Sequence, residues 1–246
     1  MSKQRLDKEL VHRRLAATRS QAEDAIRRGF VLVEGELNIK PGLIVDEQTN
    51  LSILPKVKFV SRAGEKLYSV LDDLALQFKG RLILDVGSST GGFTDLALRK
   101  GAQKVIAVDV GTNQLHPSLR NNPAIELHEK TDIREYQTNQ KIDMVLIDVS
   151  FISMRKILPY ITILTHDQTD IVAMVKPQFE TGNDNLKHKG VIKNDHLRRD
   201  ILKSFETWAQ PYFVIVSKAD SKIAGARGNV ERFYKLRPLT VNQNHK

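Results

Sequence analysis

The 246-residue chain contains no cysteine, which excludes a disulfide framework, thiolate chemistry and cysteine-ligated zinc. Its seven histidines are scattered and form no H-x-x-x-H pair, so the residues give no support for a metal site. No run of about 18 apolar residues occurs, so no helix is expected to span a bilayer. The stretch Met1-Ser2-Lys3-Gln4-Arg5-Leu6-Asp7 lacks the apolar centre of a secretion signal. These absences predict a soluble cytoplasmic protein without a membrane partner. Acidic residues are also in short supply. From Asn185 to Lys246 there are 13 Lys/Arg against 5 Asp/Glu, and residues 1–30 carry 8 against 4. A net charge of +9 distributed in this way favours a polyanionic partner, nucleic acid above all. Solubilising charge is the plainer reading.

What is present reads as two units. Residues 1–56 are expected to form one, residues 57–60 a linker, and residues 61–246 the other. In the first, Leu6, Leu10, Val11 and Leu15 recur at helical spacing. Ser20 is placed as the N-cap of a second helix carrying Ala22, Ala25 and Ile26, with Gly29 at its stop. Val31-Leu32-Val33 and Leu37-Asn38-Ile39 flank Glu34-Gly35-Glu36 as a hairpin, and Leu51-Ser52-Ile53-Leu54 is a further strand. The run from Arg5-Leu6-Asp7 through Thr18-Arg19-Ser20-Gln21-Ala22 to Val33-Glu34-Gly35 and Lys40-Pro41 resembles the S4 RNA-binding domain. Glu34 departs from that pattern, which usually has Asn before the glycine. Arg5, Arg19, Arg27 and Arg28 are the candidate phosphate contacts here.

From residue 61 the pattern alternates helix and strand. A helix over 61–77, capped by Ser61, carries Leu67, Val70, Leu71 and Leu74. Strands are predicted at 82–86, 104–109, 144–148, 170–176, 213–216 and 231–236, with helices at 92–100, from about Ser153, and at 196–208. Continuous apolar strands separated by helices describe an α/β fold with a mostly parallel sheet. The last two strands, with no helix between them, predict a terminal antiparallel strand.

The loop after the first of these strands, Asp85-Val86-Gly87-Ser88-Ser89-Thr90-Gly91-Gly92-Phe93-Thr94, is a nucleotide-like cofactor site by its strand–turn–helix form. Ser89 stands where a dinucleotide fingerprint needs glycine, and no Gly-Lys-Ser/Thr follows as in a P-loop. An NAD enzyme is therefore disfavoured. The loop and the strand-end Asp109 resemble class I S-adenosylmethionine-dependent methyltransferases, a Rossmann-like family. That resemblance implies a loop around methionine and ribose, built here from Asp85, Gly87, Ser88, Ser89, Gly91, Gly92, Phe93 and Thr94. It also implies Asp109, with Val110, at the ribose hydroxyls, and Asp132, with Ile133, at the adenine.

Lys66, Asp148, Lys176 and Glu231 resemble the Lys-Asp-Lys-Glu tetrad of FtsJ-like ribose 2'-O-methyltransferases. A ribose hydroxyl is a weak nucleophile, so a base must take its proton, and Lys176 is the candidate. Lys66 nearby would favour its neutral form, while Asp148 and Glu231 would stabilise the ammonium; the residues leave the balance open. Residues 176–193 read as a substrate loop including Lys189, and Arg227 precedes Glu231 on the same rim. Together with Arg62 in Phe59-Val60-Ser61-Arg62, the whole chain resembles the TlyA family, an S4 domain joined to an FtsJ-like methyltransferase. That resemblance implies S-adenosyl-L-methionine as cofactor and a cytidine 2'-hydroxyl of ribosomal RNA or ribosomal subunits as substrate. The family's haemolysin label and a non-catalytic RNA-binding assembly factor stand as alternatives.

Overall fold

The computed structural model describes residues 3–27, 29–38, 40–53, 59–181, 191–192, 194–223, 225 and 228–239. The chain forms two compact units, the second beginning at Phe59.

The first unit opens with β1 (Gln4–Arg5), α1 (Leu6–His12) and α2 (Arg19–Arg27). β2 (Val31–Val33), β3 (Glu36–Leu37), β4 (Ile44–Val45) and β5 (Leu51–Ile53) follow. Leu6, Leu10, Ala22, Ile26, Val31, Val45 and Leu51 form its core. The cap of α2 is Thr18 rather than Ser20: its Oγ1 accepts the Gln21 amide at 3.2 Å, because the helix starts two residues earlier. α1 stops at His12, which leaves Leu15 outside the helix and exposed. β2 and β3 join through Glu34 and Gly35, both left-handed (φ 51° and 82°), the two-residue turn that matches the twist of a hairpin. Asn adopts that conformation more readily than Glu. Here the Glu34 carboxylate accepts the Asn50 amide at 2.7 Å, tying the turn to the start of β5. β1 pairs with β4 in a two-residue ribbon too short to leave a signal in the sequence.

In the second unit a seven-stranded sheet contains β6 (Leu82–Val86), β7 (Lys104–Val108), β8 (Ile125–His128), β9 (Met144–Ile147), β10 (Asp170–Val175), β11 (Phe213–Asp220) and β12 (Arg232–Pro238). Its order is β11-β12-β10-β9-β6-β7-β8, with β12 antiparallel to both neighbours and the other pairings parallel. The expected terminal antiparallel strand is therefore inserted beside β10, not added at the edge. The helical elements are α3 (Arg62–Tyr68), α4 (Gly92–Arg99), α5 (Pro117–Arg120), α6 (Leu158–Ile163) and α7 (Asp195–Ala209). Two hydrophobic clusters, one around Leu84, Ile147 and Phe205 and one around Leu67, Phe93 and Phe233, fill the unit.

The helix expected over 61–77 is shorter than its apolar spacing suggested. α3 ends at Tyr68, and bonds three residues apart (Val70 to Leu67, Leu71 to Tyr68) tighten the chain as far as Ala75, whose φ is 47°. Leu67, Val70, Leu71 and Leu74 remain buried, since tight turns keep the same side chains inward. Ser61 occupies the N-cap position without a capping hydrogen bond from its side chain. The helix expected from Ser153 is a 3-10 turn (Met154–Lys156) followed by α6, with Pro159 in its first turn where no amide partner is needed. Among the described residues no helix is long and apolar enough to cross a membrane.

Candidate active site

Parallel strands open their carboxyl ends on one edge of the sheet, and β6 is the switch point: β7 and β8 lie to one side of it and β9 to the other, which leaves a crevice there. A cleft of about 530 Å³ occupies that position. Its walls include Val86 at the end of β6, Gly87 and Ser89 after it, Asp109, Val110 and Gln114 after β7, Asp132, Ile133 and Arg134 after β8, and Asp148 to Ile152 after β9. The turn after β6 alternates left-handed residues at Gly87 (φ 78°), Ser89 (46°) and Gly91 (90°). A Cβ on Gly87 would stand 2.7 Å from the Asp148 carbonyl oxygen, so only glycine lets the two strand ends approach this closely.

The remaining residues expected around the cofactor lie behind the wall. Phe93 is in the core against Phe233, and Gly91 packs beneath Leu115 and Leu119. Gly92 sits against Ser61 and Gly64. Asp85 is buried, and its Oδ2 accepts the Thr94 hydroxyl at 2.6 Å. Burial, and then the nearby Asp148 and Asp109 carboxylates, push its pKa up to about 7 against the Thr94 hydrogen bond. Asp85 Oδ1 and Ser88 Oγ are buried with no protein partner.

Asp109 braces the rim: one oxygen accepts the Ser89 amide at 2.8 Å, the other the Gly111 amide at 2.6 Å. Asp132 is gripped by Arg134, whose hydrogen bonds hold its pKa below the usual carboxylate range. Gln114 lies over Gly111 and receives the Ser89 hydroxyl at 3.0 Å. Neither Gln114 nor Arg134 belongs to a motif that marks it in the sequence, although each follows a strand-end or adenine-side acid, Asp109 or Asp132, by five residues or fewer.

The four tetrad positions form two ion pairs. Lys176 Nζ lies 2.7 Å from Asp148 Oδ1 and donates to Ser150 Oγ at 2.6 Å. Lys66, from α3, donates to Glu231 Oε1 at 2.9 Å, and the two residues are only 9% and 4% exposed. Register explains the meeting. Val175 pairs with Arg232 in the antiparallel β10–β12 ladder, so the residues just outside it, Lys176 and Glu231, emerge together at the cleft edge. Each lysine is thus bonded to a carboxylate. Next to Ser150, Phe151 is 92% exposed, has a φ of 65° and packs on Phe179 at 5.3 Å. Among the described residues no cluster of His, Asp and Glu is placed to hold a metal ion.

Of the candidate RNA contacts, Arg5 and Arg19 converge on the fully buried Asp7, at 2.8 and 2.9 Å. Asp7 fixes both guanidinium groups while roughly half of each stays exposed. Arg27 and Arg62 are exposed. Arg28, Lys189 and Arg227 lie outside the described residues.

The chain matches the FtsJ-like methyltransferase family over residues 59–237 and the S4 domain over residues 4–50. It is 38% identical to the Mycobacterium tuberculosis 16S/23S rRNA (cytidine-2'-O)-methyltransferase TlyA, over 96% of this chain and 90% of that protein. It is 37% identical to Hemolysin A of Brachyspira hyodysenteriae, over 92% of this chain and 97% of the relative. A solved Streptococcus thermophilus structure, provisionally named a hemolysin, is 35% identical and superposes with a TM-score of 0.71, covering 98% of this chain and 90% of that one. The chain belongs to the TlyA family, S4-bearing members of the FtsJ-like methyltransferases.

Proposed function

We propose that the protein is an S-adenosylmethionine-dependent ribosomal RNA methyltransferase acting on a cytidine 2'-hydroxyl. The observation that carries this reading is the pair of lysine–carboxylate bonds, Lys176–Asp148 and Lys66–Glu231, gathered by β-register at the carboxyl edge of the sheet beside the cleft. The cleft suits the cofactor. Asp85, Asp109 and Asp148 lie close enough for the last two to raise the pKa of the first, a negative field that favours a cation. The unpartnered Asp85 Oδ1 and Ser88 Oγ, buried at the end of β6 and in the turn after it, are unspent hydrogen-bonding capacity behind the cleft wall. Gly87, Ser89, Asp109, Asp132 and Ile133 would hold S-adenosylmethionine, which when bound supplies an electrophilic methyl on a sulfonium.

The chain's own residues supply alignment and proton handling. Lys176 Nζ is fixed from two sides, by Asp148 and Ser150, and is the group that orients the ribose hydroxyl; once it has given its own proton to solvent, the neutral amine takes the hydroxyl's proton. Asp148 stabilises the ammonium so formed. The Lys66–Glu231 pair walls the site and keeps the Lys176 side of the edge rigid. Positioning of the hydroxyl contributes heavily to rate, because a weak nucleophile gains most from a fixed line of approach. In the first unit, Arg5 and Arg19, preset by Asp7, face the RNA backbone.

Incubation with labelled S-adenosylmethionine and separated ribosomal subunits, followed by mapping of the modified nucleotide, tests the reading. Transfer to a cytidine ribose is expected. Lys176→Ala should abolish it while cofactor binding persists; unchanged transfer would refute the role given to Lys176.

A further inference from the structure

Two segments carry the Lys176–Asp148 pair: residues 148–154 after β9, and residues 176–180 after β10. They are tied at three successive steps. Lys176 forms an ion pair with Asp148 and donates to Ser150; Phe179 packs on Phe151; Glu180 accepts both the Ser153 hydroxyl and the Met154 amide, each at 2.7 Å. Arg155 Nε lies 3.6 Å from the same carboxylate. Glu180 is 6% exposed, and burial raises its pKa despite these partners, so its placement is costly.

The need for the third tie lies in Phe151. A bulky residue at φ 65° is strained, and such strain persists only where neighbours over-determine it. Phe151 is almost fully exposed, so core packing does not hold it. The restraint comes from its two flanks, Ser150 on Lys176 and Ser153–Met154 on Glu180. Released at Glu180, the segment can relax, and Asp148 and Ser150 lose their fixed distance to Lys176.

We propose that Glu180 is a positioning residue for methyl transfer: its buried carboxylate latches the β9 segment to the β10 segment and so sets Asp148 and Ser150 on Lys176. The catalytic half of this inference rests on the function proposed above; the latch itself does not.

Two measurements on full-length Glu180→Gln test it. The first is the rate at which Lys176 undergoes reductive methylation by labelled formaldehyde, read by peptide mass spectrometry with Lys66 as internal reference. Lys176 should react several-fold faster than in the wild type, with Lys66 unchanged. The second is steady-state transfer. Here kcat should fall roughly tenfold to a hundredfold, the effect of a small misplacement, with KM for RNA and the cofactor Kd within about twofold of wild type. Ser153→Ala should show the same effects more weakly, and adding Glu180→Gln to it should cost less than in the wild-type background. Unchanged Lys176 reactivity overturns the latch whatever the activity, as does a uniform rise at Lys66 and Lys176, which marks general loosening. Faster Lys176 reaction in a protein that transfers no methyl to RNA even as wild type leaves the latch standing and refutes the functional reading.

Discussion

Asp85→Asn should change how stability depends on pH. In the folded protein Asp85 keeps its proton up to about pH 7, chiefly because burial penalises the carboxylate. Unfolded, it titrates near the ordinary aspartate value of about 4. Between these values the folded state binds the extra proton, so the stability tied to this group is fully present below about pH 4 and is lost as pH rises to about 7. The gap of roughly 3 units corresponds to about 4 kcal/mol. Asparagine resembles the neutral acid in shape, and its amide oxygen can still accept the Thr94 hydroxyl. Above pH 8 the variant should therefore be the more stable by up to about 4 kcal/mol, or roughly 8–16 °C in melting temperature for a chain of this size. Below pH 4 the two should converge. Thermal melts of both proteins across that range provide the assay, and only their difference matters, because other groups titrate equally in both. Parallel melting curves would refute the buried, proton-retaining state of Asp85.

Two further outcomes follow from the site's packing. Lys66→Met or Glu231→Leu alone leaves a buried charge unpaired and should destabilise by roughly 3–5 kcal/mol in urea unfolding, whereas the double variant should recover most of that stability without recovering transfer. Equal destabilisation by the double variant would contradict a buried pair. Gly87→Ala must place a left-handed alanine against the Asp148 carbonyl, costing at least about 1–2 kcal/mol from the backbone alone. Calorimetric titration with S-adenosylmethionine should show a clear loss of affinity, and wild-type affinity would place that turn outside the cofactor site.

Much of the framework is local and therefore legible as sequence. The runs at 82–86, 104–108, 144–147 and 170–175 are apolar on both faces and read as parallel strands without knowledge of their partners. The Glu34-Gly35 hairpin is equally local. Less legible was anything that hydrophobic spacing leaves degenerate. Leu67, Val70, Leu71 and Leu74 are buried equally well by a long helix or by a short one followed by tight turns, and the second is formed. Capping failed as a guide at Ser20, since Thr18 two residues earlier offered the same oxygen to an amide one turn on.

By itself, then, the sequence determined the alternation of elements, the glycine turn after the first parallel strand and the residue types available at the strand ends. Those follow from period, backbone freedom and side-chain chemistry over a few neighbours. Only the tertiary structure decided who meets whom. Lys66 and Glu231 are 165 residues apart in the chain, and pair because β12 enters antiparallel beside β10. The same register stands Lys176 next to Glu231, yet the shorter reach is to Asp148, so each lysine faces an acid and not the other lysine. Glu180 shows the limit most plainly. It falls in the segment that reads as a substrate loop, but nothing in its neighbours assigns it a partner, and Ser153 and Met154 reach it only because β9 and β10 are adjacent strands.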